Sequence, residues 1–196
     1  KTSEREVNAM LDLVKQETER VDSRFLEPAC GDGNFVVEIL RRKLVAARKR
    51  STLPKNKKPV PSEFERQSVM AIASIYGIDL LADNVELCRD RLFDIWNAEY
   101  EAVCRGEAND DCRRSVRFIL SRNIFCGNAL TLMCVDENQQ DTNEEIVFSE
   151  WSFPFNDTRM QRRDFSFAEL LSSAKVEENI RKTWQGGVFA DEKGGG

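Results

Sequence analysis

Three short stretches of this chain carry residue types that could do chemistry: Glu27 to Asn34 (EPACGDGN), Asp79 to Leu80, and Gly127 to Asn128. In the first, Gly31 and Gly33 stand one residue apart where an apolar run, Arg24 to Glu27, should turn into a helix. Glycine adopts positive φ and lets the backbone approach a ligand closely, so such turns at strand ends suit cofactors. The dinucleotide fingerprint requires a third glycine three residues on, and Val36 stands there. Glu27 and Asp32 would also repel a pyrophosphate seated on the helix start. A cationic ligand fits these neighbours better. S-Adenosylmethionine (SAM) has an ammonium, a sulfonium and no phosphate, and its ribose offers two hydroxyls to a single carboxylate. Asp79, closing the run SIYGIDL, supplies that carboxylate.

The hydrophobic pattern supplies the elements that must position these residues. Ser3 to about Thr18 reads as a helix, with Ser3 and Glu6 as a capping box and Val7, Met10, Leu11 and Val14 on one face. Arg24 to Glu27 reads as a strand, Phe35 to Lys49 as a helix, and Ser51 to Ser62, with three prolines and several lysines, as an exposed mobile loop. Glu63 to Ser74 and Asn84 to about Cys104 read as helices around a strand at Ser74 to Leu80. Val116 to Ile124 reads as a strand or short helix leading into IFCGNAL, Glu145 to Phe148 as a strand, and Phe165 to Lys182 as a helix. This alternation predicts an α/β fold with a mostly parallel sheet, whose ligands bind at the carboxyl ends of the strands. All three chemistry-bearing stretches fall at such ends. The expected organisation is a single domain over 1–185 with a flexible tail over 186–196.

Composition narrows the function classes. The 196 residues are 41% hydrophobic and 32% charged, as in a globular protein, and no run approaches the roughly 18 apolar residues of a membrane helix. The expectation is a cytoplasmic protein with no membrane partner. With no histidine in the chain, Ser-His and Cys-His nucleophilic mechanisms are excluded. Its six cysteines form no CxxC pair and read as reduced thiols, so no metal is expected. The net charge of -5 is unevenly spread: Arg41 to Lys58 contains no acidic residue, whereas Asp136 to Glu145 is acidic and amide-rich. The basic run reads as a solvated helix end and loop, or as a phosphate contact.

Phe25 to Phe35, FLEPACGDGNF, resembles the first motif of the adenine-N6 DNA methyltransferases of restriction-modification systems, whose signature runs D/E-P-A-C-G-S-G-N-F. The resemblance extends from the first residues to about Leu132. It implies a Rossmann-like SAM-dependent methyltransferase fold acting on DNA. By the same resemblance Glu27, Pro28, Ala29, Gly31 and Gly33 border the methionine part of SAM, and Asp79 holds the ribose hydroxyls with Leu80 beside the adenine. Asn128 reads the adenine amino group, and Thr2 with Ser3 stands where a T-P pair lies over the cofactor. The bland alternatives are a helix cap for Asp79, a cap or turn for Asn128 and a small apolar filler for Cys30.

The chain departs from that family in two places. Gly33 and Asp79 are separated by 45 residues rather than roughly 20, so a basic insertion lies near 48–62. The family's D/N/S-P-P-Y/F catalytic turn, which holds the target amine and stacks on a flipped base, has no intact counterpart. The segment Ser152-Phe153-Pro154-Phe155 stands where it is expected. There Ser152 and the Phe153 carbonyl would accept from the amine, Pro154 would keep the second proline and Phe155 would stack; otherwise the segment is a strand end with core aromatics. Only four or five of the seven strands of a full methyltransferase sheet are evident. The expectation is therefore the cofactor-binding portion of a DNA methyltransferase, completed by a second subunit carrying NPPY and target recognition or by further sequence. The rival is a non-catalytic SAM-binding or partner-binding module.

Overall fold

Alternating apolar runs and glycine or proline breaks produce strands joined by helices, and the computed structural model of the chain describes residues 4–55, 57–155, 157, 159–167 and 169. Helices α1 (Glu4–Asp12) and α2 (Lys15–Thr18) lead into β1 (Phe25–Glu27). Two helices, α3 (Asn34–Ser51) and α4 (Pro61–Ala73), then cross to β2 (Ile75–Asp79), and two more, α5 (Ala82–Cys104) and α6 (Asp110–Asn123), cross to β3 (Ile124–Asn128). Local chemistry explains the boundaries. Pro61 occupies the first turn of α4, where its missing N–H costs nothing. Asn109 caps α6 by accepting the Cys112 N–H at 2.8 Å, with Asp110 and Asp111 on the positive end of the helix dipole.

β1, β2 and β3 run parallel; β4 (Met133–Val135) reverses and β5 (Asp141–Glu145) reverses again, giving a five-stranded sheet in the order β1-β2-β3-β4-β5. Side chains alternate across it. Phe25, Ile75 and Ile124 face the helices and join Val36, Leu40, Ile72, Leu92 and Trp96 in the larger core. Leu26, Tyr76, Ile78 and Phe125 face the other way, and a separate antiparallel ribbon covers them: β6 (Val147–Ser152) and β7 (Gln161–Ser166), through Phe148 and Phe165. A doubly wound sheet would carry helices on this second face. The fold is thus α/β with three adjacent parallel strands, helices on one face and a ribbon on the other.

The direction of β6 decides which end of the sheet its last residues reach. Ile146, just ahead of it, donates its N–H to the Leu132 carbonyl near the carboxyl end of the sheet. Further along, the Tyr76 hydroxyl donates to the Ser149 carbonyl, Arg24 pairs with Glu150 at 3.1 Å, and Trp151 Nε1 donates to Asn123 Oδ1 at 2.9 Å. Arg24 and Asn123 immediately precede β1 and β3. The strand therefore descends to the amino ends of the parallel strands.

Lys43, fully buried in the middle of α3, donates to the carbonyls of Arg20, Val21 and Ser23, at 2.7, 3.3 and 2.5 Å. Burial pushes its ammonium down to about 7. It stitches the segment entering β1 onto the helix that leaves it.

Several expectations are corrected. The first helix breaks at Leu13 and Val14, so that Thr18 and Val21 turn inward. Of the two readings for Val116 to Ile124, the helix is the one observed, as the second half of α6. Residues 165–166 close β7 rather than open a helix, because Phe165 pairs across the ribbon with Phe148; the rest of that expected helix, from 170 on, lies outside the described residues, as does the 186–196 tail. The 51–62 loop is shorter and tied at its base, where Val60 N–H donates to the Ser51 carbonyl at 2.9 Å and Thr52 bridges Pro59.

Candidate functional site

The turn after β1 is shaped by two glycines in the left-handed region, Gly31 at φ 52° and Gly33 at φ 90°. A side chain at Gly33 would also strike α5: its Cβ would lie 2.8 Å from the Cys88 Sγ. The loop is held at nearly every residue. Cys30 N–H donates to the Ile78 carbonyl at 2.8 Å, Gly33 N–H to the Cys30 carbonyl at 2.9 Å, and Gly31 N–H to Asp79 Oδ2 at 2.9 Å. From α5, Arg91 donates to the Asp32 carbonyl at 2.6 Å and to Asn34 Oδ1 at 2.9 Å, with the Asp32 carboxylate 3.7 Å away. Sequence reasoning missed Arg91. Its one signal was a cation one step off the inward face of α5 set by Val85, Cys88 and Leu92.

Asp79 does two things at once. Besides Gly31, it accepts the Leu81 N–H at 2.9 Å and Asn84 Nδ2 at 3.1 Å, which starts α5. The N-cap of α5 is Leu81 and carries no side-chain cap, so Asp79 is not the helix cap but holds the turn leading into α5, and Oδ2, with one donor, keeps an acceptor position. Glu27, at the tip of β1, is half-buried and accepts only the Ala29 N–H, at 3.2 Å, among the described residues. Burial pushes its carboxyl up to about 7, and the Ala29 bond offsets part of that. A half-buried carboxylate with spare acceptor capacity favours a cation. The Cys30 thiol is driven far up by its hydrogen bond to Cys88 and by burial, so it stays protonated and acts as filler.

Parallel pairing fixes how these residues meet. Glu27 lies opposite Gly77, and Asp79 opposite Cys126, so Glu27, Asp79 and Asn128 rise at the same end of adjacent strands. Pro28 and Ala29 form the turn leaving Glu27, and Leu80 is exposed beside Asp79, its carbonyl accepting the Cys126 thiol. Leu81 and Leu130 are also exposed. Asn128 is already engaged: Nδ2 donates to Asp141 Oδ1 at 3.0 Å and Oδ1 accepts the Leu130 N–H at 3.0 Å. α3 opens with no side-chain cap, so its first turn faces this end uncapped. Thr2 lies outside the described residues.

The structure does not bring the other predicted group here. Ser152 closes β6 at the amino ends of the strands, and Phe153 follows it, packing under Arg66 of α4 with the guanidinium 5.8 Å from the ring. Phe155 is exposed under Arg159, and Pro154 is exposed beside it. Ser152, Pro154 and Phe155 thus stand across the sheet from Glu27 and Asp79. The reason is topological: β6 lies over the sheet as a descending ribbon strand instead of joining it as an ascending one. The basic 48–62 region is likewise remote, because α3 starts at the glycine turn and its 18 residues run about 27 Å from it.

No helix among the described residues is long and apolar enough to cross a membrane. Comparison with protein-family models, with curated proteins and with solved structures returns no match.

Proposed function

We propose that this chain binds SAM at the carboxyl ends of β1 and β2 and is the cofactor-binding portion of a DNA adenine-N6 methyltransferase. One observation carries the reading: Asp79 ties the glycine turn to β2 through the Gly31 N–H, while Glu27 stands nearby with spare acceptor capacity. The chemistry of this donor set fits the cofactor. Glu27 would take the ammonium, Asp79 the ribose hydroxyls through its remaining lone pairs, and Leu80 the adenine face. When bound, SAM supplies an electrophilic methyl that an amine can attack in line. The contribution of this chain is to bind and orient, with Arg91 and Asp79 holding the turn so that little reorganisation remains. The target amine would be presented by a second subunit or by further sequence bearing the N-P-P-Y turn.

Calorimetric titration with SAM, followed by transfer of tritiated methyl to DNA, tests this. Absence of SAM binding by the full chain sinks it. A second reading, a SAM-binding module without catalysis, is favoured by the position of Ser152 and Phe155 at the far end of the sheet. It expects SAM binding with no methyl transfer under any pairing of subunits.

A further inference from the structure

We propose that the loop between α3 and α4, together with the last turn of α3, is a contact surface for a nucleic-acid phosphate backbone. Lys49, Arg50, Lys55, Lys57 and Lys58 form it, and all five are exposed. Many other surface cations are neutralised: Arg42 by Asp12, Arg48 by Glu99, Arg113 by Asp110 and Glu101, Arg117 by Asp90, Arg159 by Asp157 and Arg162 by Asp164. None of these five pairs with a carboxylate among the described residues, and no acidic residue lies between Glu38 and Glu63 in sequence. In a chain of net charge -5, five exposed cations thus fall within the ten residues 49–58.

The bland account is that cations at a helix end complement its dipole. That covers Lys49 and Arg50, in the last turn of α3, but not the three lysines beyond it. Those three sit on a loop with a closed base. Ser51 Oγ donates to the Ala47 carbonyl at 2.7 Å and Thr52 Oγ1 to the Arg48 carbonyl at 2.8 Å, in addition to the Val60 and Pro59 ties. Closing the base reduces the backbone freedom lost on binding. Leu53 is the one large apolar residue exposed on the loop, so there is no apolar face for a bilayer and no aromatic anchor for a protein interface. Counterion release from a polyphosphate backbone needs only clustered cations.

Duplex DNA is the probe because the proposed substrate is DNA, a choice that rests on the methyltransferase reading. The test measures fluorescence anisotropy of a labelled duplex with the full chain across a salt series, comparing Lys55→Ser/Lys57→Ser/Lys58→Ser with Arg114→Ser/Arg117→Ser/Arg159→Ser. The loop triple should make the slope of log K against log salt shallower by about 2 to 3, and the control triple by less than about 1. SAM titration should be unchanged in the loop triple, since the loop is remote from the glycine turn. Equal slope changes in both triples overturn the proposal, as does an absence of DNA binding. Loop-dependent retention on phosphatidylserine-rich vesicles without loop-dependent DNA binding also overturns it. A loop-dependent DNA slope in a chain that binds no SAM supports this surface while removing the methyltransferase reading.

Discussion

The glycine turn at the carboxyl end of the parallel strands and the ribbon turn near their amino end are built differently. At the carboxyl end, charged side chains are spent on backbone groups: Asp79 on the N–H groups of Gly31 and Leu81, Arg91 on the Asp32 carbonyl, Glu27 on the Ala29 N–H. At the amino end, where the ribbon turns, charges mostly meet other side chains: Arg24 with Glu150, Arg162 with Asp164, Arg159 with Asp157 and with the Phe155 ring. Bonds to the backbone fix a loop's path, whereas exposed side-chain pairs contribute little and leave the path to packing. A site that must hold a small ligand needs the first construction. An attachment point for a ribbon can use the second.

Substitutions at the two ends should differ accordingly. The largest effect is expected from Gly33→Ala, which combines a left-handed backbone with a Cβ set against Cys88: a loss of about 2 to 4 kcal/mol in thermal or denaturant unfolding. Adding Cys88→Ala should recover the steric part and leave about 1 to 2 kcal/mol of backbone strain. If the double variant is no better than the single, contact with α5 is not what makes the turn intolerant.

Next comes Asp79→Ala, expected to weaken SAM binding by about 1.5 to 3 kcal/mol, the scale of hydrogen bonds to a charged acceptor. Unchanged affinity by calorimetry would remove Asp79 from the site and leave only its structural role. Smaller still is the effect of pH through Glu27. Its folded value, about 7, lies above the ordinary carboxylate value, so the free chain holds a proton that the unfolded chain has lost. That contribution to stability is full below the unfolded value and is lost as pH rises through 7. A cation binds only the ionised form, so SAM binding should release a proton below pH 7 and tighten as pH rises toward it. Titrations in buffers of different ionisation enthalpy measure that proton, and Glu27→Gln should abolish it. The smallest effect is predicted for Ser152→Ala, exposed at the far end: SAM affinity unchanged and stability within about 0.5 kcal/mol.

The conformation of the glycine turn and the strands beside it were legible for the same reason. Gly31 and Gly33 announce a backbone conformation, and the buried run IYGID announces a central strand that must end at Asp79. These are local signals with steric causes. β5 and β7 gave no such signal, because DTNEE and QRRDFS lack an apolar alternation and are held by their partner strands. The charged Arg162-Arg163-Asp164 has no apolar alternation of its own, yet pairing with Trp151, Glu150 and Ser149 makes it a strand. Strand order was also beyond the sequence. Nothing in IVFSEWS says whether it joins the sheet or lies across it, and that choice decides whether Ser152 reaches the glycine turn. Arg91 was hidden because its shortest bond is to the main-chain carbonyl of Asp32, a group any residue type can offer.

Lys43 gives the fold a mechanical property. Its ammonium grips three carbonyls of the approach to β1 from the middle of α3 rather than from either end. Strand and helix therefore flank the glycine turn as the arms of one bracket, pinned below the bend as well as at it. A ligand pressing on the turn cannot open that bracket by sliding β1. Strain introduced at the bend would have to break those three bonds before β1 could part from α3.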